Sequence, residues 1–125
     1  MVNSKRKGNN FENKIYKILR DFGDCKKSLG SGSSDEPGDI IFKRYVIECK
    51  RYKYVTDSML NKWSSKLYKE IRDKGHQSYF PIIVFKSDWY PIEFGVCKKD
   101  GFERNGTFKD FLECLRQRCI RCHSL

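Results

Sequence analysis

The stretch Ile82-Ile83-Val84-Phe85 is apolar at four consecutive positions. A strand with one wet face alternates polar and apolar residues, so an unbroken run of this length reads as a strand buried on both faces. Such a strand requires a sheet around it and a covering layer on either side. Upstream, Leu60, Trp63, Leu67 and Ile71 recur at steps of three and four, which predicts a helix from Thr56 or Asp57, both good caps, to Gly75. Roughly 17 helical residues span about 25 Å, enough to cover one face of a small sheet.

The remaining pattern fills in the architecture. Phe11, Ile15, Ile18, Leu19 and Phe22 form a first helical stripe, capped by Asn9 or Asn10 and stopped at Gly23. A short strand is expected at Cys25–Ser28, then a flexible Gly/Ser loop over residues 29–38, rich in glycine and free of apolar period after Leu29. Two better strands follow, Asp39–Phe42 and Tyr45–Arg51, joined by a tight turn at Lys43-Arg44. Trp89–Phe94 reads as a weaker strand, placed at an edge by Pro91. A third helix starts near Thr107, with Phe108, Phe111, Leu112, Leu115 and Cys119 on one side. The expected order is α-β-β-β-α-β-β-α: one α/β domain over residues 1–125, a central mixed sheet flanked by helices, preceded by a basic arm at residues 1–8.

Lys and Arg outnumber Asp and Glu by 26 to 16, a net charge of +10. That excess favours a polyanionic partner over a neutral metabolite, with nucleic acid the first candidate; a merely charged, soluble surface is the competing account. No run approaches the roughly 18 apolar residues of a membrane-spanning helix, and the N-terminal stretch lacks a secretory pattern, so a soluble, intracellular protein with no membrane partner is expected. In that compartment the six cysteines read as reduced thiols. Cys119-Ile120-Arg121-Cys122-His123 spells a haem-attachment pattern, and with Cys114 and Cys97 it offers zinc ligands; adjacent ligands at 122 and 123 fit a tetrahedral site poorly, and thiols are the preferred reading.

The chemistry concentrates in Gly38-Asp39 and Glu48-Cys49-Lys50. Side chains alternate along a strand, so Glu48 and Lys50 emerge on one side roughly 7 Å apart while Ile47 and Cys49 face the other. The hairpin brings Asp39, at the start of the preceding strand, beside Glu48. Two carboxylates about 4 Å apart repel by about 4 kcal/mol at an effective dielectric near 20, and a divalent cation between them removes that cost. Magnesium, which takes one or two carboxylates and keeps waters and phosphate oxygens as its other ligands, suits the pair, with manganese as a substitute. Lys50 is then placed to orient or help deprotonate an attacking water and to offset charge on a reacting phosphate. An ordinary exposed strand pair beside a turn aspartate is the alternative, and so short a pattern taken alone favours it. Its setting, with a helix and a Gly-rich loop upstream and a long helix downstream, favours the site.

These segments resemble the PD-(D/E)xK nucleases, and among them the archaeal-type Holliday-junction resolvases, over roughly residues 5 to 95. The likeness rests on Arg6-Lys7-Gly8-Asn9-Asn10-Phe11-Glu12, Ser28-Leu29-Gly30-Ser31, Gly38-Asp39-Ile40-Ile41 and Ile47-Glu48-Cys49-Lys50. The resemblance implies a restriction-endonuclease-like core and a metal-dependent DNA endonuclease with Glu12 added to Asp39 and Glu48 in the metal site. It also implies a contribution from a loop serine, Ser31 or Ser33. A resolvase acts on four-way junctions, and two matched incisions imply a homodimer. Gly38 stands where the family has proline, with Pro37 displaced by one, and only nine residues separate Asp39 from Glu48. The same signature occurs in restriction-like, repair and virus-encoded nucleases, so a nuclease acting on ordinary or damaged duplex is the alternative among enzymes, and a catalytically silent nucleic-acid binder is the reading outside them. Lys5, Arg6, Lys7, Lys26, Lys27, Arg51, Lys53 and Lys62 are the candidate phosphate contacts, interleaved near the site with Tyr52 and Tyr54.

Overall fold

The computed structural model describes residues 4–28, 38–75 and 78–117, with side chains from Asn9 onward. In chain order the elements are α1 (Ser4–Arg20), β1 (Cys25–Lys27), β2 (Ile40–Phe42), β3 (Tyr45–Arg51), α2 (Asp57–Asp73), β4 (Phe80–Lys86), β5 (Glu93–Lys98), β6 (Gly101–Thr107) and α3 (Phe108–Arg116). This is the expected order with one strand added before the last helix. The strands form a single sheet ordered β1-β2-β3-β4-β5-β6. Only β3 and β4 run parallel, because α2 crosses over between them; the other neighbours are antiparallel.

The sheet separates two apolar layers. On one side Phe11, Ile15 and Leu19 of α1 and Phe108, Phe111 and Leu115 of α3 pack on Ile40, Phe42, Ile47, Ile82 and Val84. On the other, Leu60, Leu67 and Ile71 of α2 pack on Val46, Ile83 and Phe85. Alternate residues of β4 thus enter opposite layers, which explains why its apolar run is continuous: Ile82, Ile83 and Val84 have no exposed surface, and Phe85 keeps 1%. Among the described residues no helix is long and apolar enough to cross a membrane.

The local signals act as expected at most ends. The Thr56 side chain caps α2 by accepting the Met59 N–H, and Thr107 with Asp110 forms a reciprocal capping box on α3. Lys43 takes φ +52° in the two-residue turn pairing Phe42 with Tyr45. Three expectations are corrected. Helix α1 starts at Ser4, ahead of the expected Asn9 or Asn10 cap, so residues 4–8 of the basic segment are helical. The strand expected at Trp89–Phe94 is β5, Glu93–Lys98; residues 87–90 form a turn, in which Trp89 has φ +71°. Pro91 therefore precedes β5, which lies inside the sheet because β6 pairs with its far side. Strand β6, Gly-Phe-Glu-Arg-Asn-Gly-Thr, is polar and carries two glycines, so its pairing with β5 makes it a strand where its composition suggests a turn. Cys119, expected on α3, lies outside the described residues.

Candidate active site

The β2–β3 register pairs Ile40 with Ile47, and one step further places Asp39 opposite Glu48. The Asp39 N–H donates to the Ile47 carbonyl at 2.9 Å, and its Oδ2 accepts the Cys49 N–H at 2.8 Å, so backbone bonds hold this side chain. Gly38 makes the approach possible. It has φ +71°, and a Cβ there would stand 2.7 Å from Val46 Cγ1. Proline, locked near φ −65°, has no place in that conformation, which accounts for the departure from the family pattern.

The three predicted acids meet in a row. Asp39 lies in the middle, close enough to Glu12 on one side and to Glu48 on the other for the members of each pair to shift each other's titration. Lys50 Nζ stands 3.8 Å from Glu48 Oε1. Burial raises all three acids from their ordinary values. Asp39 rises to about 7, through burial first and the Glu48 charge second, against the lowering effect of the Cys49 N–H. Glu12 is raised by burial and then by Asp39, with Lys27 opposing. Glu48 is raised by burial, with Lys50 the first opposing influence.

Such a row fits a cation better than it fits isolation. Asp39 and Glu48, both half-buried, sit together with more negative charge than one lysine neutralises, and two carboxylates suffice for magnesium, whose other ligands are water and phosphate oxygens. Glu12 is less directly placed: its Oε2 pairs with Lys27 Nζ at 3.2 Å. Among the described residues no three His, Cys, Asp or Glu side chains converge on one point. The pair fits the ion, and Glu12 extends the row at one end.

The phosphate candidates divide. Lys26, Lys53 and Lys62 are exposed. Lys27 belongs to the acid row through Glu12 and also bonds the Asn13 side chain. Arg51 is engaged within the protein: its Nη2 lies 2.6 Å from Asp88 Oδ1 and its Nη1 donates to the Tyr52 carbonyl at 2.7 Å, so it ties β3 to the turn after β4. Lys5, Arg6 and Lys7 lie in the first turns of α1, their side chains outside the description. Ser31, Ser33, Cys119, Cys122 and His123 also lie outside the described residues, whereas Cys25, Cys49, Cys97 and Cys114 are free thiols.

Helix α2 contributes residues that the motif does not contain. Glu70 Oε1 accepts the Gly38 N–H at 3.3 Å and pairs with Lys74 at 3.5 Å. The charges of Glu70 and Lys66 both reach Glu48, the first raising its pKa and the second lowering it. Trp63 lies under Lys50, whose Nζ is 5.3 Å from its ring centre. Positions 63, 66 and 70 follow helical spacing, a signal present in the sequence. What the sequence lacks is the rotation that turns this side of the helix toward β3.

Two half-buried carboxylates on adjacent strands, with a lysine two residues after the second, define the site class of the PD-(D/E)xK nucleases, which generally depend on a divalent metal. The family model described as "Phage putative PDDEXK endonuclease" matches residues 3–101, and the chain belongs to that family. Among solved structures the chain is similar to Hjc of Archaeoglobus fulgidus, a Holliday junction resolvase from an archaeal hyperthermophile. Identity is 19% and the TM-score 0.49, with 79% of this chain and 88% of that one covered. No curated protein sequence matches it.

Proposed function

We propose that this endonuclease is a magnesium-dependent DNA hydrolase, with manganese as a substitute, that acts selectively on branched DNA such as four-way junctions and works as a homodimer. The observation that carries the reading is the half-buried Asp39–Glu48 pair with Lys50 beside it. Asp39 and Glu48 would hold the cation, with Glu12 at the end of the row. When bound, the ion supplies positive charge to the phosphate and lowers the pKa of water. Asp39 is fixed by the Cys49 N–H, so it needs little reorganisation to serve. Lys50 stands where an ammonium can orient the attacking water and offset charge developing on the phosphate oxygens. Ser31 or Ser33, from the segment 29–38 of the single nuclease domain, is assigned a supporting part on the resolvase resemblance.

Branch selectivity draws support from what the helices do. Each of α1, α2 and α3 buries an apolar side against the sheet, and none stands free as a recognition helix. Phosphate contacts from Lys26, Lys53, Lys62 and the N-terminal Lys5, Arg6 and Lys7 position DNA without reading its sequence. A dimer presents two such sites, which a four-way junction engages together and a linear duplex does not.

The test is cleavage of labelled junction, flap and linear duplex with magnesium, calcium or chelator. Cutting of the junction with magnesium alone is expected, surviving an excess of unlabelled linear competitor. Asp39→Asn and Glu48→Gln should each abolish cutting while binding in calcium stays intact or tightens. Near wild-type cleavage by either variant would displace the metal site, and equal competition by linear DNA would remove the junction preference.

A further inference from the structure

Among the described residues the large hydrophobic side chains left exposed are Tyr52, Tyr54, Trp89 and Tyr90, and Trp89 keeps 95% of its surface. All four lie in two short segments that follow the parallel strands β3 and β4 at the same end of the sheet. The segments are tied to each other: the Tyr52 N–H donates to the Lys86 carbonyl and the Asp88 N–H to the Lys53 carbonyl, each at 3.1 Å, and Arg51 clamps Asp88. Trp89 is held at φ +71°, a conformation that a bulky residue rarely adopts and that must be supported by its surroundings. A tryptophan that keeps 95% of its surface on strained backbone has no account in the stability of the fold.

The patch is continuous with the active site. Lys50 lies over Trp63, Trp63 stacks on Tyr52 with ring centres 5.1 Å apart, and Lys53 sits 5.5 Å from the Tyr54 ring centre. Aromatic rings interleaved with lysines, on a chain of net charge +10, match bases on a phosphate strand better than the apolar face of another protein. A base inside a duplex already has both faces covered, so a ring that seeks a base face finds one only where pairing is broken.

We propose that Tyr52, Tyr54, Trp89 and Tyr90 form a stacking platform for unpaired bases of the DNA strand that leads into the Asp39–Glu48 site. The inference rests on the nuclease reading and makes its substrate more specific: the enzyme engages DNA at interrupted pairing, and the platform holds the bases released there. Arg51, through Asp88, is a positioning residue for the two segments.

Binding is measured in calcium, by anisotropy, to three labelled DNAs of equal length: a paired duplex, the same duplex with a central unpaired stretch, and a single strand. Trp89→Ala should weaken binding to the two DNAs with unpaired bases by about 5- to 100-fold more than binding to the duplex, and Trp89→Phe should restore most of the difference. Tyr54→Ala should act in the same direction. Both side chains are exposed, so their removal leaves no cavity. Equal losses on all three DNAs, or no loss, would overturn the platform. So would a Trp89→Ala variant that turns a dimer into a monomer in sedimentation while keeping its preference, since the surface would then belong to a second copy. Cleavage in magnesium, followed in parallel, separates the two readings: wild-type protein that discriminates in calcium but never cuts defeats the nuclease reading and leaves the platform standing.

Discussion

At the scale of single residues, Asp39 carries the largest tension. Its pKa is raised to about 7 in the folded protein against an ordinary aspartate in the unfolded chain. The acid form is therefore favoured by folding; this stabilising contribution is full below about pH 4 and is lost as pH rises through about 7. In chelator, Asp39→Asn should raise the melting temperature at pH 8 and leave it unchanged near pH 3.5, a comparison that scanning calorimetry makes directly. Protons compete with the cation for the same oxygens, so magnesium affinity measured by titration should climb between pH 5 and 8 in the wild type. Lys50→Ala is expected to lower kcat by two or more orders of magnitude with little change in DNA affinity, as befits a group acting on the transition state; a loss confined to binding would make it an ordinary phosphate contact. Asp39, Glu48 and Lys50 were legible because strand alternation and a two-residue turn fix their relative places. The partner of Arg51 was not, since Asp88 lies 37 residues further on and only the parallel pairing of β3 with β4 brings it close.

At the scale of elements, the hairpin β2–β3 builds the site and Gly38 sets its entry. Gly38→Ala should destabilise the protein by roughly 1–3 kcal/mol, from positive φ and the contact with Val46, in urea unfolding. It should also weaken magnesium binding, because Asp39 is the next residue; full affinity in a destabilised variant would show that the turn serves folding alone. The helices were legible in periodicity and the buried strand β4 in its unbroken apolar run, since their apolar residues face cores that any such sheet provides. Strand β6 was not: Glu103, Arg104 and Asn105 are exposed, so the segment carries no apolar alternation, and the backbone of β5 defines it. The side of α2 that reaches Gly38 and Glu48 escaped for a related reason. Periodicity identifies which residues of a helix are buried, here Leu60, Leu67 and Ile71, but not what their polar neighbours will meet.

For the whole molecule, the charge of +10 acts against the acid row at its centre, and DNA binding should follow salt accordingly. With each neutralised phosphate contributing about −0.9 to the slope of log affinity against log salt, five or more contacts predict a slope of about −4.5 or steeper, read from binding isotherms at several ionic strengths. A slope near zero would mean that the basic surface does not bind phosphate. The order of the sheet has a different consequence. Its strands lie side by side in the sequence in which they are made, β1 through β6. A polypeptide emerging from the ribosome can therefore lay each strand against the border left by the one before, and none has to be threaded between neighbours already joined. Asp39, Glu48 and Lys50 are in register once β3 has turned back on β2, while much of the chain is still unmade. The last strand to arrive, with Glu103, Arg104 and Asn105 turned to water, closes that growing border with charge and discourages pairing with another nascent chain.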